Sequence, residues 1–461
     1  MAKQSSSNTS APRAGAAVTL LPTYLADARA VEKYSPSTPN GALQLSVAEN
    51  QMLEDMLVPA LSEFSASQKF PADAIYYQPT HGREGLRQAA TGYLQDLLDL
   101  DKESQLDPDG IVVGAGCNAV LENLCISLAE PGQGVMIPTP YYAAFDFDLG
   151  SRAGLKVVPV PTMERSGVEV PEEASPSSVP MEAYYPTRAS LDSAMQKSID
   201  EQGIEPRILL LSHPQNPLGI CYPPHVIQEC IAWCRDNEVH LVSDEIYAGS
   251  VYRKDEAGFS SALKLAAGST SSPDGLGLGP YVHFVYALSK DFALSGLRVG
   301  VLYSENPEIR LPLQKLNDLC CVSSHTQLLV ERMMTEPGKH GGDSRWTNDF
   351  LDVNHERLRH RCDTWQSCLD ELNIPHLSAT AGLFCWMDFS EFLPSEGNID
   401  ERERTLYLEL LKEYGLLFTP GRSMLNERPG FFRCVFTAAS EEEFALGMER
   451  LRKYVAAKRQ V

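Results

Sequence analysis

Ile208-Leu-Leu-Leu211-Ser212-His-Pro-Gln-Asn216-Pro-Leu-Gly219, a helical pattern over 226–236, and Val239-His-Leu-Val242-Ser243-Asp244-Glu-Ile-Tyr247 together decide the architecture. Each apolar run is too short for a helix and ends in turn residues, so it reads as a strand. Strand, polar loop, helix and strand make a β-loop-α-β unit. Repeated units of this kind, with polar residues just past the strand ends, imply an α/β fold with a largely parallel sheet and a site at its carboxyl edge. Asn216, Asp244 and Tyr247 fall on that edge.

The pattern extends in both directions. Toward the amino terminus come strands at 155–160, 134–137 and 111–113. The last of these leads into Gly114-Ala-Gly116-Cys117-Asn118 and a helix running to about 129. Unpaired N–H groups and the dipole at such a helix start suit an anion. The glycines do not form a dinucleotide fingerprint, and the lysine of a P-loop is absent. A helix is expected over 83–98 and another from 52, after the polar turn Val47-Ala-Glu49-Asn50-Gln51. Residues 161–190, rich in Pro, Glu and Ser, read as an inserted surface loop with local order near 181–185.

Toward the carboxyl terminus, 254–280 reads as a surface connector in which Gly275-Leu-Gly-Leu-Gly279 lacks the following helix of a nucleotide loop. Then comes Tyr286-Ala-Leu-Ser289-Lys290-Asp-Phe-Ala-Leu-Ser-Gly-Leu-Arg298-Val-Gly300, an apolar strand ending in a lysine with an arginine a short way on. A lysine amine can condense with an aldehyde, and an arginine holds a phosphate by paired hydrogen bonds. Pyridoxal phosphate presents both groups. Beyond it are expected a strand at 299–303, helical residues over 309–335, a long helix from 345, a strand at 382–388, a helix at 401–414, a strand at 431–436 and a final helix from 441. The domain expectation is a disordered arm at 1–18, an N-terminal segment at 19–60 packing on the small domain, a large cofactor-binding domain at 61–335 and a C-terminal small domain at 336–461.

The formal charge of -22 over 461 residues argues against a nucleic-acid surface and a polybasic membrane anchor. No segment approaches transmembrane length, and Ala16-Ala-Val-Thr-Leu-Leu21 is short for a signal core, so a cytoplasmic protein is expected. The 11 cysteines show no metal-binding spacing, so no metal is expected and the thiols read as buried and reduced.

Several motifs occur together and in order: Ala48-Glu-Asn-Gln51, Pro138-Thr-Pro-Tyr-Tyr142 with Asp146 and Asp148, Asn216-Pro-Leu-Gly219, Ser243-Asp-Glu-Ile-Tyr247, Leu288-Ser-Lys290, Val322-Ser-Ser324, Gly382-Leu-Phe-Cys-Trp-Met-Asp388 and Phe432-Arg433. In these the chain resembles fold type I pyridoxal-phosphate enzymes of aminotransferase class I/II, and within them 1-aminocyclopropane-1-carboxylate (ACC) synthases. The resemblance implies an aspartate aminotransferase-like fold with a mainly parallel seven-stranded sheet and a smaller α+β domain. It implies pyridoxal 5'-phosphate as cofactor, carried by Lys290, which also moves protons at the substrate Cα. Asp244 would pair with the pyridine nitrogen and keep it protonated, so that the ring draws electrons from Cα. Tyr247 and Asn216 would bond the ring hydroxyl, Tyr142 would stack on the ring, and Ser289, Arg298, Cys117 and Asn118 would hold the phosphate. Arg433 would clamp the substrate carboxylate with its planar fork.

The same resemblance implies a homodimer with shared active sites, in which residues near Tyr77 and Thr80 reach the partner's pocket. Two departures stand out. Ala287 replaces a serine that usually touches the phosphate, and Cys117-Asn118 replace Ala-Thr. Thr80 stands where ACC synthases carry a tyrosine that helps to close the cyclopropane ring, while Tyr77 falls where aminotransferases often place a phosphate-contacting tyrosine. Glu49 is kept, and a carboxylate near the substrate side chain suits a sulfonium such as S-adenosylmethionine. The expected function is elimination or replacement at the β or γ carbon of a sulfur-containing amino acid, with transamination as the alternative.

Overall fold

A computed structural model describes residues 11–101, 105–163, 179–269, 275–342 and 344–460. A two-residue strand, β1 (Leu43–Gln44), precedes the main sheet, whose strands are β2 (Ile111–Gly114), β3 (Gly134–Pro138), β4 (Lys156–Val160), β5 (Pro206–Ser212), β6 (His240–Asp244), β7 (Val282–Ala287) and β8 (Gly300–Ser304). Their order is β2-β8-β7-β6-β5-β3-β4. The pairs from β4 through β7 are parallel, while β8 is antiparallel to both neighbours. The link from β7 to β8 holds only the single turn Leu288–Asp291 and the 3-10 turn Ser295–Leu297. A parallel return needs a longer crossover, so the chain doubles back.

Alternation along the strands feeds two cores. Ile208, Leu210, Val242 and Val285 pack on one side of the sheet, and Leu209, Leu211, Leu241 and Phe284 on the other. A sheet covered on both faces explains why its strands are continuously apolar. Burying each such side chain contributes about 1.5–3 kcal/mol.

Four strands complete the chain: β9 (Phe384–Asp388), β10 (Leu416–Leu417), β11 (Thr419–Pro420) and β12 (Phe431–Val435). β11, β12 and β9 form an antiparallel sheet, and β10 pairs in parallel with β1. Helix Trp346–Glu371 joins the two halves: its Phe350 and Leu351 enter one core, and its Leu358, Cys362, Trp365 and Leu369 the other. Residues 43–45 are stitched across β10 and β12 by bonds from Leu43 N to Gly415 O (2.9 Å), Leu45 N to Leu417 O (3.2 Å) and Val435 N to Leu45 O (2.8 Å). This stitching carries Ser46, Val47 and Ala48 to the mouth of the main cavity.

Some expectations need correction. Within the arm expected at 1–18, residues 1–10 lie outside the described residues, but Pro12–Val18 is helical. Proline at its first position and the alanines after it favour that conformation. Helix Arg188–Gln202 begins in the sequence read as loop and runs through residues that received no assignment, and its start is a Thr187–Ser190 capping box. Its low apolar content hides it from a periodicity search. Of the loop expected at 161–190, residues 164–178 lie outside the described residues, and Met181–Tyr184 is a 3-10 turn. The connector at 254–280 is not wholly superficial. Ala262, Leu263 and Ala266 are buried, and the N–H groups of Leu276 and Leu278 both donate to the Glu305 carboxylate. The helical residues at 309–335 are two helices, Pro307–Leu316 and Ser324–Thr335.

Among the described residues, no helix is long and apolar enough to cross a membrane, and no His, Cys, Asp and Glu cluster could hold a metal. Cys321 is exposed, Cys320 is half-buried and the other cysteines are buried; none forms a disulfide.

Candidate active site

A cavity of about 260 Å³ opens at the carboxyl edge of the main sheet. β6 ends in Asp244, beside Ser212 of β5, and β7 ends at Ala287, just before Lys290. Cys117, Asn118, Tyr142, Asn216, Asp244, Tyr247, Ser289, Lys290, Arg298 and Arg433 all line the cavity. Seven separate stretches of chain thus converge there.

Helix Cys117–Leu128 begins at Gly116 with no side-chain cap, so its first N–H groups are free to meet an anion. Arg298 lies directly against this turn. A Cβ at Gly116, whose φ is +93°, would come within 2.3 Å of the Arg298 guanidinium. Arg298 donates one bond, to Ser295 O at 3.0 Å. Asn118 directs its side chain to Asp148, donating to Oδ2 at 2.7 Å, so its contribution at the helix start comes through the backbone.

Asp244 is buried, and its Oδ1 accepts from Ile246 N at 3.3 Å and faces the Cys117 thiol at 3.8 Å. No hydrogen bond from a described residue reaches Oδ2. Burial pushes this carboxyl up to about 7, opposed by the Ile246 N–H and the thiol. The Lys290 amine donates to Ala48 O at 2.5 Å and is pushed down to about 8, mainly by burial and then by the Arg433 charge. An amine so tuned is substantially neutral near pH 8, as a nucleophile or base must be.

Arg433, on β12, is buried. It donates to Asn216 Oδ1 (2.7 Å), Ser46 O (2.6 Å) and Thr419 Oγ1 (3.3 Å), lies 5.4 Å from the Phe384 ring centre, and has a buried Nε with no hydrogen-bond partner among the described residues. Tyr247 packs edge-on to Phe384 at 5.2 Å, and Tyr142 edge-on to Phe145 at 5.3 Å. These contacts fix the two phenol rings in the cavity wall.

Three named residues do not line this cavity. Glu49 is exposed near its mouth, where it accepts from the Ser295 hydroxyl at 3.1 Å. Thr80 donates to Gln314 O at 2.5 Å, and Tyr77 lies on the surface with its side chain wholly exposed, at 106%. Other wall residues escaped the sequence reading. Pro22, Tyr24 and Leu25 come from the N-terminal segment, and Ala48 acts through its carbonyl, which side-chain chemistry cannot reveal. Asp148 was visible as part of a motif but without a task. Burial raises it to about 6.

The profile of the family described as aminotransferase class I and II matches residues 43–451. The chain is 32% identical over 430 residues to 1-aminocyclopropane-1-carboxylate synthase 7 of Arabidopsis thaliana, covering 91% of this chain and 88% of that protein. The chain belongs to the aminotransferase class I and II family. It is also 32% identical over 429 residues to 1-aminocyclopropane-1-carboxylate synthase 1 of Oryza sativa subsp. indica, covering 91% and 82%. Among solved structures, an aspartate aminotransferase from Thermotoga maritima superposes with a TM-score of 0.70 at 17% identity, covering 97% of this chain and 100% of that one. An aromatic aminotransferase from Pyrococcus horikoshii gives 0.69 at 19%, covering 91% and 97%. Both share the fold.

Like the rest of this family, the chain is a pyridoxal-phosphate-dependent enzyme. Its residues fit that cofactor. The uncapped helix start beside Arg298 suits a phosphate, the Asp244 oxygen without a bond suits a pyridinium N–H, and a half-buried amine lies in the same cavity. When bound, the cofactor supplies an electron sink for a carbanion at Cα.

Proposed function

We propose that this enzyme acts at Cα of an amino acid bearing a sulfur-containing side chain, S-adenosylmethionine foremost, with elimination or replacement at the β or γ carbon. The observation that carries this reading is the charge pattern of the cavity. Its cations are Lys290, Arg298 and Arg433, and its acids are Asp148 and Asp244, with Glu49 near the mouth. Arg298 is taken by the phosphate and Arg433 by the substrate α-carboxylate. Among the described residues of this chain no further guanidinium lines the cavity for a side-chain carboxylate, and with Asp244 committed to the pyridinium the remaining acids, Asp148 and Glu49, favour a cationic substituent.

In this reading Arg433 uses its guanidinium fork to orient the carboxylate, which sets the direction of the Cα–H bond. The Lys290 amine takes that proton and later returns it. Asp244 stays ionised against the pyridinium, while Tyr247 and Asn216 hold the ring hydroxyl. Cys117, Asn118 and Ser289 join Arg298 around the phosphate, and Tyr142 covers the ring face. Glu49 faces the sulfonium. The active unit is a homodimer: the exposed Ile75, Tyr76 and Tyr77 make an apolar patch suited to a second copy, which brings Tyr77 and Thr80 toward the partner's site.

Transamination is the second reading, and Thr80 favours it. A threonine lacks the phenol that ACC synthases use in ring closure, and this one is bonded to Gln314. Incubation with S-adenosylmethionine and with a panel of amino acids separates the two. Methylthioadenosine release supports the first, and a 2-oxo acid with pyridoxamine phosphate supports the second. Neither product from any amino acid overturns both.

A further inference from the structure

Lys290 and Asp291 sit side by side on the single turn Leu288–Asp291 but face opposite ways. Lys290 reaches the cavity, whereas the Asp291 carboxylate is fully buried in the protein behind it. There it accepts three hydrogen bonds. Oδ2 receives Gly249 N at 2.7 Å and the Tyr286 hydroxyl at 2.9 Å, and Oδ1 receives the Ser250 hydroxyl at 2.5 Å. Gly249 and Ser250 belong to the 3-10 turn Ala248–Ser250, which directly follows Tyr247. The approach is so close that a Cβ on Gly249 would lie 2.7 Å from the carboxylate.

A second chain of bonds closes on the same turn. Asn354 donates to Asp291 O at 3.2 Å, and Asn50 donates to Asn354 Oδ1 at 3.0 Å. Asn50 lies two residues beyond Ala48, whose carbonyl receives the Lys290 amine. The circuit therefore runs from the amine through Ala48, Asn50 and Asn354 back to the backbone of the lysine turn, while the Asp291 side chain binds that turn to the one carrying Tyr247.

We propose that Asp291 is a positioning residue: its carboxylate locks the Lys290 turn to the Tyr247–Ser250 turn and so fixes the amine relative to the phenol. This rests on the assignment of Lys290 as the reacting amine. A carboxylate is suited to the place because all three of its side-chain partners are donors, and only an acceptor with two oxygens satisfies them. In Asp291→Asn the amide nitrogen cannot face the Gly249 N–H, so it takes the Oδ1 position and forces the Ser250 hydroxyl to turn round. The fold survives with the clamp loosened at that point. Ser250→Ala loosens the same point while leaving the carboxylate in place.

The test uses both variants beside the wild type, with two measurements on cofactor-free protein and one on the loaded enzyme. Thermal unfolding reports the fold. The pH dependence of Lys290 acylation, read by peptide mass spectrometry, reports the setting of the amine. For either variant, unfolding is expected within a few degrees of wild type, with an acylation midpoint that moves upward as the amine gains access to water. In the loaded enzyme kcat should fall about tenfold or more with KM within about threefold, since small misplacements of reacting groups act on the rate. Lower thermal stability with an unchanged acylation midpoint and unchanged kcat per folded molecule would make Asp291 a structural residue only and overturn the proposal. If Asp291→Asn does not fold, Ser250→Ala decides by the same criteria. Because acylation is read without cofactor, its result stands apart from the proposed reaction, which the substrate panel tests separately.

Discussion

Lys290 is suited to its proposed task before any cofactor arrives, because burial and the Arg433 charge hold its amine at about 8 rather than at the ordinary lysine value. Only a neutral amine attacks an aldehyde. The rate at which cofactor-free protein takes up pyridoxal phosphate, followed by absorbance, should therefore rise about tenfold per pH unit below that value and level off above it. Lys290→Ala should lower turnover by at least about 10²-fold, since the amine is proposed to be both anchor and proton carrier. Asp244 gives a stability prediction of opposite sense. Its carboxyl, lifted to about 7 in the fold, keeps a proton that the unfolded chain has released above about pH 4. The folded state then binds more protons at this carboxyl, and its contribution to the stability of cofactor-free protein falls as pH rises from 5 to 7, against the opposite slope from buried His213 and His240, whose charged forms burial disfavours. Glu245 and Glu403 are lifted by burial to about the same value and add to the slope. Calorimetry at pH 5.5 and 7.5 should show a smaller difference for Asp244→Asn than for wild type, and an equal difference would contradict the burial argument. Lys290, Asp244 and Arg433 were legible as cavity residues because their charged side chains fall within motifs. Ala48 was not, because its carbonyl is anonymous in a sequence, and Tyr24 was not, because it lies outside every recognisable motif.

At the scale of elements, the helix start after β2 is proposed to do the work of a binding loop. Gly116→Ala places a methyl group against the Arg298 guanidinium at a backbone angle that alanine resists. Affinity for pyridoxal phosphate should drop at least about tenfold, measured by equilibrium dialysis, as expected when a guanidinium is moved away from the anion it would hold. The sheet should be unaffected. Leu210, fully buried in β5, belongs to the scaffold instead, and Leu210→Ala should cost about 2–5 kcal/mol in denaturant unfolding. The strands of the main sheet were legible because burial on both faces forces continuous apolar runs. Helix Arg188–Gln202 was not, because its buried positions are mostly small or polar, such as Ser190, Ala194 and Ser198, and leave no apolar stripe. The direction of β8 was equally hidden, being set by how little chain separates it from β7 and not by its own residues.

For the whole molecule, the pairing of β1 with β10 and the path of helix Trp346–Glu371 bind the two ends of the chain around one cavity. If the proposed homodimer shares its sites, Tyr77 acts in the partner's cavity. Mixing Lys290→Ala with Tyr77→Ala under conditions that exchange subunits should then restore roughly a quarter of the wild-type sites, because half of the dimers are mixed and each of those has one intact site. No recovery in subunits shown to exchange would place Tyr77 outside the site. Every reading above depends on the cofactor being joined to one particular amine. The direct measurement is borohydride reduction of enzyme loaded with pyridoxal phosphate, followed by proteolysis and mass spectrometry. The account predicts a phosphopyridoxyl group on the peptide containing Lys290 and on no other; a label on a different lysine, or none on a protein that binds the cofactor, would contradict it.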